Sequence, residues 1–165
     1  MKSPEVLIKN FYEAFANNDL EQMMACYHPE IIFEDPVFRK LKGTEVKYMW
    51  EMLLLRSNGQ LKISFEQIKA SESNGSAKWK AIYPFGKKKR KVINHVTAQF
   101  TFKEGLIYRH FDHFDLWKWS RQALGLPGFF FGWTKFMQDK IHQTTRSLLD
   151  QYIRKRLHEA ASDNL

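Results

Sequence analysis

Up to residue 58 the apolar positions mostly recur at helical spacing, and from 60 to 114 they alternate. Leu7, Ile8, Phe11 and Phe15 fall on one face, and Ser3-Pro4 supplies a hydroxyl cap followed by proline at the first helical position. The spacing predicts a helix over 4–17. Asp19 opens a second, short helix with Gln22 as its capping-box partner, and His28-Pro29 is read as its stop. Ile31, Phe33 and Asp35 alternate with Ile32 and Glu34, a strand ended by Asp35-Pro36. After Gly43-Thr44 a third helix carries Val46, Met49, Trp50 and Leu53 as its buried stripe.

Segments 60–70, 77–85, 92–102 and 106–114 are rich in β-branched and aromatic residues and are separated by turn clusters. They predict four long antiparallel strands joined by hairpins. Residues 124–133 form an unusually apolar loop, and 133–158 a long amphipathic helix. Helices followed by a strand meander define an α+β fold, its helices on one face of a curved sheet. Residues 1–125 would form the principal domain, with 126–165 packed on it as an aromatic loop and C-terminal helix.

Composition narrows the class. A chain of 165 residues, 44% hydrophobic, can bury a core without disulfides or metal staples. Its one cysteine, Cys26, excludes an intramolecular disulfide framework and reads as a small core residue. There is no Cys/His spacing for zinc, and no metal or cofactor is expected. Glu5 and Pro4 interrupt the place where a signal peptide needs an apolar core, and no apolar run reaches the roughly 20 residues that span a bilayer, so the expectation is a cytoplasmic protein. The net charge of +8 suggests a nucleic-acid partner until it is located. The first 60 residues sum to −2, while Lys87-Lys88-Lys89-Arg90-Lys91 alone carries +5. That run resembles a nuclear-localisation signal, but a hairpin tip explains it, and no nucleic-acid partner is expected. The aromatic share of 15% points instead to a deep, hollow interior.

The order of elements resembles the nuclear transport factor 2-like superfamily, whose fold is a cone-shaped, curved antiparallel sheet wrapped around helices, a cystatin-like α+β barrel. Ile31-Ile32-Phe33-Glu34-Asp35-Pro36-Val37 is similar to the ketosteroid isomerase segment that carries the general-base aspartate. Gly105-Leu106-Ile107 through Phe111-Asp112-His113-Phe114-Asp115-Leu116 is similar to the final strand of SnoaL-like proteins and limonene epoxide hydrolases. The resemblance covers about residues 4–125 and implies a hydrophobic small-molecule partner and a homodimer. The isomerase's oxyanion tyrosine would fall at Phe11 and its second donor at Ala98, neither of which has a proton to give. The Arg and Asp of the epoxide hydrolases would fall on Trp79 and Ala81. Only Asp112 carries over from that comparison.

Strand parity adds an independent filter. With the superfamily's pocket-facing positions, one face takes Tyr108, His110, Asp112 and Phe114, with Asn94 and Ala98 on the neighbouring strand and Trp79, Ala81 and Tyr83 on the next. Phe11, Phe15 and Trp50 would close the cavity from the helices. Asp112, His110 and Asp35 are the candidate catalytic groups: an aspartate desolvated by aromatics, a histidine sharing its proton, and a second carboxylate. A non-catalytic lipophilic-ligand binder and a dimeric interaction module remain alternatives, because Asp112–His110 could be a structural pair and Asp35 a strand-ending residue that accepts loop amides. Asp115 is read as a helix N-cap. Phe129, Phe130 and Phe131 have three competing uses: closing the cavity, forming a dimer interface, or touching a membrane.

Overall fold

A computed structural model describes residues 3–162. Its elements in chain order are α1 (Pro4–Ala16), α2 (Leu20–Ala25), β1 (Tyr27–Asp35), β2 (Arg39–Lys42), α3 (Thr44–Ser57), β3 (Lys62–Ala70), β4 (Asn74–Phe85), β5 (Arg90–Lys103), β6 (Leu106–His113), α4 (Leu116–Leu124), α5 (Leu126–Phe131) and α6 (Lys135–Ser162). The expected caps hold: Ser3 Oγ accepts from Val6 N, Asp19 from Gln22 N at 3.0 Å, and Asp115 from Lys118 N at 2.9 Å. His28-Pro29 does not stop α2. Both residues lie within β1, where the pairing with β6 slips between Tyr27 and Ile32.

The strands form one six-stranded sheet in the order β2-β1-β6-β5-β4-β3. β1 runs parallel to β6, and the other pairings are antiparallel. Curvature has local causes: β3 carries an extra residue between Glu66 and Lys69, with Gln67 at φ 54°, and β6 carries one at Tyr108, between the pairs Thr101–Arg109 and Phe102–Ile107. α1 and α3 fill the concave side. Ile8, Phe11, Tyr12, Val46 and Met49 have no exposed surface, and each large apolar side chain so buried contributes about 1.5–3 kcal/mol.

Two expectations change at the C-terminal end. The apolar stretch 124–133 is not a loop: residues 126–131 form α5, packed directly on α4. α6 lies across α3, burying Ile141 and Leu149. Arg146 pairs with Glu45 and Arg156 with Glu51 from α6 to α3, and Asp139 pairs with Arg39 at β2. Among the described residues no helix is long and apolar enough to cross a membrane.

Candidate active site

Strand alternation decides which side chains point into the cone. On β5, Val92, Val96, Ala98 and Phe100 are buried while His95, Thr97 and Gln99 are exposed; on β6, His110 and Asp112 are buried while Arg109 and His113 are exposed. Between this face, α3 and α6 lies a cavity of about 660 Å³, within the usual range for small-molecule sites. Its wall is largely aromatic and aliphatic: Phe15, Phe33, Trp50, Trp79, Ala81, Phe114 and Trp119, with Met137, Ile141 and Leu148 from α6. Asp35, Asp112, Asn94 and Tyr83 are the polar groups among the strand residues lining it. A second hollow of about 470 Å³ on the outer sheet face, around Lys78 and His95, holds neither aspartate.

Asp35, Asp112, Phe15, Trp50, Trp79, Tyr83 and Asn94 all line this one cavity. Four other expected site residues sit elsewhere. His110 is wholly buried behind Asp112 and does not line the cavity. Phe11 packs edge-on against His110 at 5.4 Å, in the same layer behind the wall. Ala98 is the strand partner of Asp112 and is also fully buried. Tyr108 is the bulged residue of β6, so it leaves the concave face and packs on His28 and beneath Lys103.

Behind the cavity wall runs a directional chain of hydrogen bonds. Trp50 Nε1–H donates to Tyr27 Oη at 3.2 Å, and Tyr27 Oη lies 2.7 Å from His110 Nδ1. His110 Nε2 lies 3.0 Å from Asp112 Oδ1, which also accepts Trp79 Nε1–H at 3.0 Å. The indole can only donate, so the Tyr27 hydroxyl proton goes to Nδ1, which must then be bare. The remaining imidazole proton sits on Nε2 and points at Asp112. With Nδ1 bare and Nε2 protonated, every member of the chain has a partner. Burial raises the Tyr27 hydroxyl well above its ordinary pKa, and the Asp112 charge adds to this, so the tyrosine keeps its proton. Asp112 Oδ1 is thereby fully used and Oδ2 remains for the cavity.

Asp35 is built differently. It ends β1 before Pro36, and its Oδ1 accepts Val37 N at 2.9 Å and Phe38 N at 2.5 Å, the loop-amide role expected of a strand-ending aspartate. It also lines the cavity. Burial pushes its carboxyl up to about 7 against the pull of those amides, and the charge on Asp112 adds to the rise. Tyr83 Oη accepts Trp119 Nε1–H at 2.8 Å, and burial raises its hydroxyl to about 12, leaving its proton available to a ligand. The cavity therefore has one carboxyl whose Oδ1 accepts two buried N–H donors, one carboxyl poised near neutrality, and one phenol donor.

The raised Asp35 has a stability consequence with a definite sign. Below about pH 4 the residue is neutral both folded and unfolded, and burial costs nothing. As pH rises to about 7 the unfolded chain ionises first, the folded state binds the extra proton, and stability falls. In Asp35→Asn this loss should be absent: urea unfolding should show the variant more stable than wild type at pH 8, by about 4 kcal/mol at most, and nearly equal at pH 4. Equal stability at both pH values would mean Asp35 is not desolvated.

Sequence reasoning missed Tyr27 and Tyr12. Tyr27 sits where a helix stop was expected, and its partner His110 is 83 positions away. Tyr12, one position past Phe11, turns towards the sheet and stacks on Phe65 at 5.5 Å; its buried hydroxyl has no hydrogen-bond partner among the described residues. Its pKa is raised well above the ordinary value, first by burial and then by Asp112. No group of three or more His, Cys, Asp or Glu among the described residues could hold a metal ion.

The curved six-stranded sheet closed by helices is the fold of the nuclear transport factor 2-like superfamily. Residues 8–110 match the SnoaL-like domain, and the chain belongs to that family. The match ends at His110, so Asp112 and the three helices after it lie beyond. Solved structures agree in fold at low identity. A loop-truncation variant of IdmH superposes with a TM-score of 0.61 at 16% identity, covering 73% of this chain and 98% of that one. TerC, co-crystallised with polyporic acid, gives 0.59 at 15%, covering 68% and 92%. An M. tuberculosis LEH-like epoxide hydrolase gives 0.56 at 20%, covering 72% and 86%. The curated proteins contain no match.

Proposed function

We propose that the protein binds a hydrophobic small molecule in its aromatic cavity and carries out cofactor-independent proton transfer on a carbonyl or epoxide substrate. The observation that carries this is the pair of unlike carboxyl groups on one mainly apolar cavity: Asp112, whose Oδ1 accepts the Trp79 and His110 N–H groups, and Asp35, which burial pushes up to about 7. In the proposed reaction Asp112 Oδ2 takes a proton from carbon or from an attacking water. Negative charge then develops on the substrate oxygen, which accepts the Tyr83 hydroxyl or takes the proton of neutral Asp35. His110 acts through Asp112, fixing its orientation without touching the substrate. The epoxide hydrolase and polyporic-acid-bound neighbours support the same class of ligand.

A second reading, a lipophilic-ligand binder without chemistry, is favoured by one observation: the positions corresponding to the isomerase's oxyanion donors hold Phe11 and Ala98. The pH–rate profile of a hydrophobic substrate separates the two. For wild type, an inflection near pH 7 is expected, and it should vanish in Asp35→Asn. A wild-type profile that is flat from mildly acidic to mildly basic pH would contradict the role of Asp35.

A further inference from the structure

α5 is packed inside out. The buried residues of α5 and its C-cap are glycines: a Cβ on Gly128 would run into the Ser120 carbonyl oxygen, and one on Gly132 into Ser120 Oγ. This close approach to α4 turns the large side chains to solvent. Phe129, Phe130 and Phe131 are 49%, 58% and 56% exposed, and Leu126, Trp133 and Phe136 are 71%, 64% and 74% exposed. The display is braced. Trp117 Nε1–H donates to Phe129 O and Trp133 Nε1–H to Phe130 O, so both indoles are tied to the α5 backbone. A fold that spends its glycines inward to hold phenylalanines outward presents a surface, since a patch of this kind is costly in water.

Within the hairpin tip and the segment that carries the patch the charge has one sign. The hairpin tip 86–91 is exposed and carries five basic residues, and residues 116–138 add Lys118, Arg121 and Lys135 without a single Asp or Glu. The two segments are adjacent: the Arg90 guanidinium lies against Gly125, and the Gln122 side chain bonds both Ile93 N and Ile93 O. Gly86, Lys89 and Leu124, from the same hairpin and the end of α4, line the cavity.

We propose that α5 and the 86–91 hairpin dock this protein on an anionic lipid bilayer, aromatic rings in the acyl boundary and basic side chains on the headgroups. Rings with apolar bodies and locally satisfied N–H groups suit the interface, and the Lys/Arg run complements acidic headgroups. The proposed contact lays the protein on the membrane surface; among the described residues no helix is long and apolar enough to cross it. A second copy fits less well, because a twofold contact centred on α5 would bring two basic hairpins together. Docking would also place the cavity rim against the bilayer, so a lipophilic ligand could enter without crossing water; that part rests on the small-molecule reading above.

The test is co-sedimentation with vesicles of phosphatidylcholine containing about a third phosphatidylserine, and with phosphatidylcholine alone. Wild type should bind the anionic vesicles and release in high salt. Phe129→Ser/Phe130→Ser/Phe131→Ser, at three exposed positions, and Lys87→Gln/Lys88→Gln/Lys91→Gln should each bind at least about tenfold more weakly. No wild-type binding, or equal binding by the serine variant, overturns the proposal. So does a dimer, seen by analytical ultracentrifugation, that the serine variant dissociates while vesicles bind neither form. Capture of an uncharged naphthylamine probe in vesicle-free solution reports on the cavity separately, so the two readings can fail independently.

Discussion

Asp112→Asn should abolish most turnover while leaving the fold intact. An asparagine oxygen at this position can still accept Trp79 Nε1–H at the observed 3.0 Å and the His110 Nε2–H, so both buried donors keep a partner. What disappears is the negative charge and the basic oxygen facing the cavity. General-base catalysis of this kind is worth about 10²–10⁴-fold, and kcat should fall by that amount. Binding of an uncharged substrate should change little, because the cavity wall around it is mainly apolar. Full retention of kcat in Asp112→Asn, with wild-type thermal stability, would remove Asp112 from the chemistry and leave the binding-only reading.

The second large effect belongs to His110, and it is an effect on stability. His110 has no exposed surface, lies among Phe11, Phe33 and Phe100, and joins Tyr27 to Asp112. In His110→Phe the ring volume is roughly conserved, but the Tyr27 hydroxyl loses its acceptor and Asp112 loses one of two donors. Orphaning a buried hydroxyl costs about 1–3 kcal/mol, and weakening a buried carboxylate's partners adds a similar amount. A total of about 3 kcal/mol should lower Tm by about 10 °C in a domain of this size. His110→Gln, which can still donate towards Asp112, should recover part of the loss. A kcat that falls in His110→Phe and returns partly in His110→Gln would mark His110 as a positioning residue. Wild-type Tm in His110→Phe would mean the buried chain contributes nothing to the fold.

The legibility of this molecule follows the range of the interactions that build it. Period-two alternation on β4, β5 and β6 sorted each strand into two faces, and the superfamily's pocket-facing positions chose the face with Trp79, Ala81, Tyr83, Asn94 and Asp112. Asp35 was legible both ways, and the structure has it accepting loop amides while facing the cavity. Alternation failed where the backbone breaks it: one extra residue on β6 ejects Tyr108, and no sequence signal marks that bulge. Tyr27 was hidden because Pro29 interrupts a strand whose parallel partner is β6, a pairing invisible to local patterns. The apolar run 126–131 looked like a loop because it is framed by glycines. Gly128 and Gly132 are there for contact with α4, and the run is helical. The wall contributed by α6 was likewise unreadable, because Met137, Ile141 and Leu148 fit any amphipathic helix.

The central claim is that the cone holds an open, apolar binding cavity at which the two aspartates meet. N-phenyl-1-naphthylamine, an uncharged probe, tests it through energy transfer from Trp50, Trp79 and Trp119, all of which line the cavity. Leu148→Trp fills the cavity from the α6 side. The predicted result is saturable binding of one probe per chain, retained by the α5 serine variant and lost in Leu148→Trp. Binding that does not saturate, or that survives Leu148→Trp unchanged, would contradict the account.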